Sequence, residues 1–186
     1  MDLILWRHAD AGQPLDDAVL DLQRPLSPKG VKHAARMAGW LQRVLPERTR
    51  VLASPALRCQ QTAQALGRAF DTRDTLGPGG GVRALLALAG WPDRQRPVLI
   101  VGHQPTLGAT AAWLMTGGRA AGDSAGADDA GTAALAATSD ADDAGAAPWH
   151  APSWTIRKGA VWWLRRRVRA GMSEVVVVAV RAPDAP

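Results

Sequence analysis

One cysteine, Cys59, in 186 residues excludes an intramolecular disulfide framework and any cysteine-cluster metal site. No apolar run approaches the ~20 residues that a membrane-spanning helix needs. The start of the chain lacks the pattern of a secretory signal: Asp2 follows Met1, and the first apolar run, Leu3 to Trp6, is short. The expectation is a cytoplasmic protein without a membrane partner. Acidic residues are fewer than basic ones, 17 against 22, for a formal net charge of +5. That permits an anionic partner without requiring nucleic acid. Arg165-Arg166-Arg167 lacks interleaved stacking aromatics of the kind that bind single strands, so it reads as a solvated strand end, and no nucleic-acid partner is expected. The phosphate-loop pattern GxxxxGK[ST] is absent, and the one glycine-rich run, Gly77 to Gly81, is interrupted by Pro78.

Nearly half of the residues are apolar and about a fifth are charged, which describes a globular chain long enough to bury one core. One stretch departs from this. Residues 118–148 are built mainly of Ala, Gly, Ser, Thr and Asp, with six Asp and no Lys or Arg from Ala120 to Trp149. Such a composition buries too little apolar area to offset its ordering entropy. The expected organisation is a single domain over 1–186 carrying a disordered acidic insertion at about 118–148, dispensable for chemistry.

Two short apolar runs each deliver a histidine. Leu3-Ile4-Leu5-Trp6 runs into Arg7-His8, and Val98-Leu99-Ile100-Val101-Gly102 runs into His103. Both read as buried strands, and in α/β proteins the ends of such strands are where ligands sit. Between them, Asp10 to Gln23 reads as a polar loop. Ser27-Pro28 reads as an N-cap with proline at the first helical position. A helix then carries Val31, Ala34, Ala35, Ala38, Leu41 and Leu45 at helical spacing until Pro46, with His33 on its solvated face. Arg50 to Ser54 reads as a strand, and a helix follows through Leu57, Ala63, Leu66 and Phe70. Arg58 falls in its first turn, where the helix dipole disfavours a cation. Either an anion sits between Arg58 and that helix start, or Arg58 pairs with a surface carboxylate. Cys59 beside it reads as a small buried hydrophobe rather than a reactive thiol. A turn-rich connector leads into a short helix with Val82, Leu85, Leu86 and Leu88, and another helix runs through Trp113 and Met115. The chain then closes with short strands at Trp154 to Ile156 and Gly159 to Leu164, a turn at Ala170-Gly171, and a valine run to Val180 expected to be buried on both faces.

Three of these segments, in order and spacing, resemble the histidine phosphatase superfamily: Arg7-His8-Ala9, Ser54-Pro55-Ala56-Leu57-Arg58-Cys59-Gln60-Gln61-Thr62-Ala63, and Val101-Gly102-His103-Gln104-Pro105. With Arg24 to Gly30 and the short length, the chain is similar to the SixA-type phosphohistidine phosphatase branch. The resemblance implies an α/β three-layer sandwich around a central, mostly parallel mixed sheet, the phosphoglycerate mutase-like fold. It implies His8 as a nucleophile that becomes phosphorylated, with Arg7, Arg58, His103 and Gln104 around the phosphoryl group, and no metal or other cofactor. The implied substrate is a phosphorylated protein carrying phosphohistidine. A small phosphorylated substrate and a non-catalytic phosphate-binding module are the alternatives. The chain departs from the family pattern twice. Ala9 replaces the usual glycine, so the backbone there must avoid positive φ. Many members carry an acidic general acid, commonly a glutamate, between the positions of Arg58 and His103; here that region offers Asp71, Asp74 and Asp93 instead. Asp10, close to His8, is another candidate, and Asp10 and Asp74 stand as possible general acids.

Overall fold

The computed structural model describes residues 1–117 and 154–184. The acidic stretch at about 118–148 and its neighbour His150 lie outside the described residues. The chain forms β1 (Asp2–Arg7), α1 (Ala18–Leu22), α2 (Pro28–Val44), β2 (Arg50–Ala53), α3 (Leu57–Gln64), β3 (Asp71–Thr72), a 3-10 turn (Asp74–Leu76), α4 (Val82–Ala89), β4 (Val98–Gly102), α5 (Thr106–Met115), β5 (Val161–Arg169) and β6 (Met172–Arg181). The strands make one mixed sheet in the order β3-β2-β4-β1-β5-β6. The first four are parallel, and β5 and β6 run antiparallel.

Alternation along the strands explains why a helix layer lies on each face. Leu3, Leu5, Val98 and Ile100 point into a core with Leu85 and Leu86 of α4 and Leu107 and Ala111 of α5. Ile4, Trp6, Leu99 and Val101 point into the opposite core with Met37, Ala38 and Leu41 of α2 and Cys59 and Ala63 of α3. Both faces of the central strands are therefore covered, which is why they read as continuous apolar runs rather than alternating ones. Ser27 caps α2 by accepting from the Gly30 N–H at 3.0 Å, with Pro28 in the first turn.

Several expectations are corrected. The loop from Asp10 to Gln23 contains α1, capped by the Asp17 carboxylate, which accepts from the Val19 and Leu20 N–H groups. In α2, Val31 and Ala35 are exposed, and Met37 belongs to the buried face instead. The helix after Ser54 ends at Gln64, with Gly67 in the left-handed region at φ +67°, so Phe70 lies beyond it. Trp154 to Ile156 is not a strand. Its carbonyls serve side chains: Ile156 accepts from Arg7 Nη1 at 2.7 Å and Trp154 from Gln104 Nε2 at 2.6 Å. The valine run in β6 is not buried on both faces, since Val177, Val178 and Val180 are exposed. It is a sheet edge, and the far half of its hairpin with β5 extends past the end of β1. The hairpin turn itself is as expected, with Ala170 and Gly171 at φ +50° and +80°. No helix among the described residues is long and apolar enough to cross a membrane.

Candidate active site

β1 and β4 are neighbours at the centre of the sheet, but the chain leaves them toward opposite faces, to α2 and α5 respectively. A crevice opens between two strands that part in this way, at their C-terminal ends. The register pairs Arg7 with Gly102, so the next residues, His8 and His103, emerge side by side. Their ring centroids are 5.2 Å apart, at 58°. The His8 N–H donates to the Gly102 carbonyl at 3.0 Å and continues the ladder to this point. The Ala9 N–H donates to Thr62 Oγ1 at 3.1 Å, and that hydroxyl donates to the Arg58 carbonyl at 2.7 Å. Among the described residues the only non-glycine with positive φ is Ala170, so Ala9 replaces glycine without backbone strain.

His8 Nδ1 lies 2.7 Å from the Ala9 carbonyl. A carbonyl oxygen only accepts, so Nδ1 carries the proton and Nε2 keeps its lone pair. His103 Nε2 lies 2.8 Å from Ser54 Oγ and 3.5 Å from Cys59 Sγ. Cys59 is fully buried, and burial pushes its thiol up to about 12, which makes it the inert hydrophobe expected from the sequence. Burial pushes His8 down to about 3, with smaller contributions from His103, Arg58 and Arg7 against an opposing hydrogen bond to Ala9. Burial, then Arg58 and Arg7, push His103 down to about 4. Both imidazoles are neutral at physiological pH.

These shifts have a sign for stability. From the ordinary histidine value of 6.5 down to about 4, the unfolded chain binds protons that the folded chain refuses, so acidification favours unfolding. The expected loss is up to about 1.4 kcal/mol per pH unit for each histidine. Urea midpoints of the ligand-free protein should fall steadily over that window, and its part above about pH 5 lies clear of ordinary carboxylate titration. A flat profile would contradict the neutral pair.

Two guanidinium groups flank the histidines, and their charges act on both rings. Arg7 spends Nη1 on the Ile156 carbonyl, and its buried Nε has no partner among the described residues. Arg58 is 4% exposed. Its Nη1 donates to the Asp21 carbonyl at 2.6 Å and its Nη2 pairs with Asp21 Oδ2 at 3.1 Å, while its buried Nε is also unpaired. Of the two alternatives for Arg58, the pairing with a carboxylate is the one observed, through Asp21, and its buried Nε–H is left without a partner among the described residues. A buried donor without a partner costs about 1–3 kcal/mol. Two of them, both cationic, beside two neutral imidazoles have the chemistry that an anion would satisfy.

Gln104 differs from its expected part. Its Nε2 is held by Trp154, and the unpaired buried atom is Oε1, an acceptor, which repels rather than binds a phosphoryl oxygen. Gly108 permits this strap, because a Cβ there would lie 1.8 Å from the Trp154 carbonyl oxygen and 2.2 Å from Gln104 Nε2. Asp10 Oδ1 pairs with Lys158 Nζ at 2.9 Å, and Oδ2 accepts from Ser27 Oγ at 2.7 Å. Hydrogen bonds from Lys158 and then Ser27 hold its carboxyl far below the usual range. Asp74 is exposed on the 3-10 turn. Among the described residues no carboxylate hydrogen-bonds either histidine ring. Sequence reasoning missed Asp21, the Ser54 hydroxyl on His103, Thr62 and Lys158. Ser54 and Thr62 stood inside a quoted motif without a role, whereas Asp21 and Lys158 carried no signal.

The histidine phosphatase superfamily (branch 1) model matches residues 3–77. Phosphohistidine phosphatase SixA of Escherichia coli is 33% identical over 125 residues, covering 63% of this chain and 76% of that protein. An uncharacterized protein of Mycobacterium tuberculosis is 34% identical over 110 residues, or 56% of this chain; the match spans 66% of that relative's length, just under two thirds. The solved structure of a putative phosphohistidine phosphatase SixA from Nakamurella multipartitia superposes with a TM-score of 0.67 at 28% identity, covering 99% of this chain and 96% of that one.

Proposed function

The chain belongs to the histidine phosphatase superfamily, and we propose that it hydrolyses phosphohistidine on a protein through a phosphorylated His8. The observation that carries this reading is the locked tautomer of His8, with Nε2 free, beside two buried and unpaired arginine N–H groups. Binding alone requires the arginines but gives no reason to hold one histidine in a nucleophilic tautomer.

In the first step the Nε2 lone pair attacks phosphorus. A P–N bond forms on His8, and the bond to the leaving group breaks with its electron pair. Arg7 and Arg58 stabilise the charge spread over the equatorial oxygens, where such electrostatic support contributes most. As positive character builds on the His8 ring, the Nδ1–H bond to the Ala9 carbonyl strengthens. In the second step water attacks phosphorus, the P–Nε2 bond breaks, and inorganic phosphate leaves.

The leaving group favours phosphohistidine over a phosphoester. An alkoxide needs a proton donor. Asp10 is kept ionised by Lys158 and Ser27, and Asp74 is exposed on its turn. Imidazole already protonated on its far nitrogen departs as a neutral molecule and needs no carboxylic acid.

A panel pairing phosphohistidine substrates with common phosphoesters tests this. Phosphohistidine should be turned over fastest, and chelators should leave the rate unchanged; a preference for sugar phosphates, or rescue by a divalent ion, would overturn the reading. Vanadate or tungstate should also bind the free Nε–H groups and raise thermal stability, by about 2.7 kcal/mol at a hundredfold excess over Kd. Calorimetry of the Arg7→Ala variant should show most of that gain lost.

A further inference from the structure

Leu15, Val19 and Leu20 are 48, 71 and 58% exposed. They fall within six positions on the segment that follows β1, and α1 itself buries no residue, so this helix is not retained for the core. Nor is it loosely placed. Asp17 Oδ1 accepts from the Val19 N–H at 2.8 Å and the Leu20 N–H at 3.0 Å. The Asp21 carboxylate accepts from the Leu15 N–H at 3.0 Å and pairs with Arg24 Nε at 2.8 Å and Arg58 Nη2 at 3.1 Å. One carboxylate, on the same helix as Val19 and Leu20, thus ties the backbone at Leu15 to the Arg58 guanidinium. Grouped apolar side chains held in water beside a ligand site mark an interaction surface.

The proposed reaction names what covers them. His8 is only 6% exposed, so a phosphoryl group must enter the crevice to reach it. A histidine side chain is short, and the backbone of its carrier must come down to the mouth. The carrier's neighbouring residues then rest on whatever forms the rim. A small phosphoester enters without touching it. Resting on the reading above, we propose that Leu15, Val19 and Leu20 are the docking rim for the phosphohistidine-bearing protein, and that the carrier presents an apolar surface beside its phosphorylated histidine. The exposed Asp16 and Asp17 border this rim and disfavour an acidic partner.

The test compares wild type with a Val19→Ser/Leu20→Ser variant, whose altered side chains make none of the bonds above. Two substrates are used: free phosphohistidine, and a histidine-phosphorylated helical domain with an apolar patch beside its histidine. KM for the phosphoprotein should rise about tenfold, equivalent to about 1.4 kcal/mol, with kcat within about twofold. Both constants for free phosphohistidine should be unchanged. Equal losses on both substrates would mean a disturbed pocket and overturn the docking rim. So would an unchanged KM for a phosphoprotein that wild type hydrolyses. A wild type that hydrolyses free phosphohistidine but not the phosphoprotein overturns the rim and leaves the chemistry intact. One that hydrolyses only phosphoesters overturns the substrate reading itself.

Discussion

His8→Ala should lower turnover at least a thousandfold, roughly 4 kcal/mol of barrier or more, while oxyanion binding stays measurable. The ring is placed by the ladder bond to Gly102 and by its own Nδ1 bond to Ala9, and alanine removes the only group there that can carry the phosphoryl. His103 is the nearest alternative, with its centroid 5.2 Å away. Its Nε2 faces Ser54, however, and a nucleophile displaced by that distance loses in-line geometry. Binding survives because Arg7 and Arg58 keep their free N–H groups. The decisive measurement is rapid quenching during turnover: acid-labile, alkali-stable phosphate should appear on wild type and be absent from the variant. Near-normal turnover by His8→Ala would remove the covalent route. Loss of vanadate binding together with turnover would mean instead that the pocket had collapsed.

What the sequence discloses about this site follows from how local each feature is. Two apolar runs ending in His8 and His103 are visible because fully covered strands are apolar at every position. Ser27-Pro28 is visible because a cap acts over three residues. The helix start at Arg58 is visible as an anomaly, a cation where the dipole disfavours one. What relieves that anomaly is not visible. Asp21 reaches Arg58 across 37 positions from a five-residue helix too short to show helical periodicity. Lys158 reaches Asp10 across 148. A candidate acid therefore looked available until its partners were known. The valine run of β6 fails for a different reason: composition reports β-propensity, not coverage, and an edge strand in a hairpin satisfies the first without the second. Trp154 to Ile156 fails for the converse reason, since its apolar side chains are packed but its carbonyls are taken by Arg7 and Gln104.

Arg58→Ala should reduce kcat/KM by about a hundred- to a thousandfold, the scale of removing one charge-stabilising donor from a transition state. Part of that loss comes from what the substitution leaves behind. Arg58 is the cation against Asp21 Oδ2, and without it a carboxylate stays at the edge of a phosphoryl site with only Arg24 to balance it. Repulsion of an incoming dianion then adds to the lost attraction. Removing both partners should therefore hurt less than removing Arg58 alone: Arg58→Ala/Asp21→Asn should recover about three- to tenfold in kcat/KM, a coupling of about 1 kcal/mol within the range for neighbouring charges. Asp21→Asn by itself should weaken the reaction only modestly, because the Asp21 carbonyl still holds Arg58 Nη1 at 2.6 Å. Kinetics of the three variants on free phosphohistidine, whose size avoids the docking rim, complete the cycle. If the losses simply add, Asp21 has no electrostatic connection to the phosphoryl site, and Arg58 acts through its inner N–H alone.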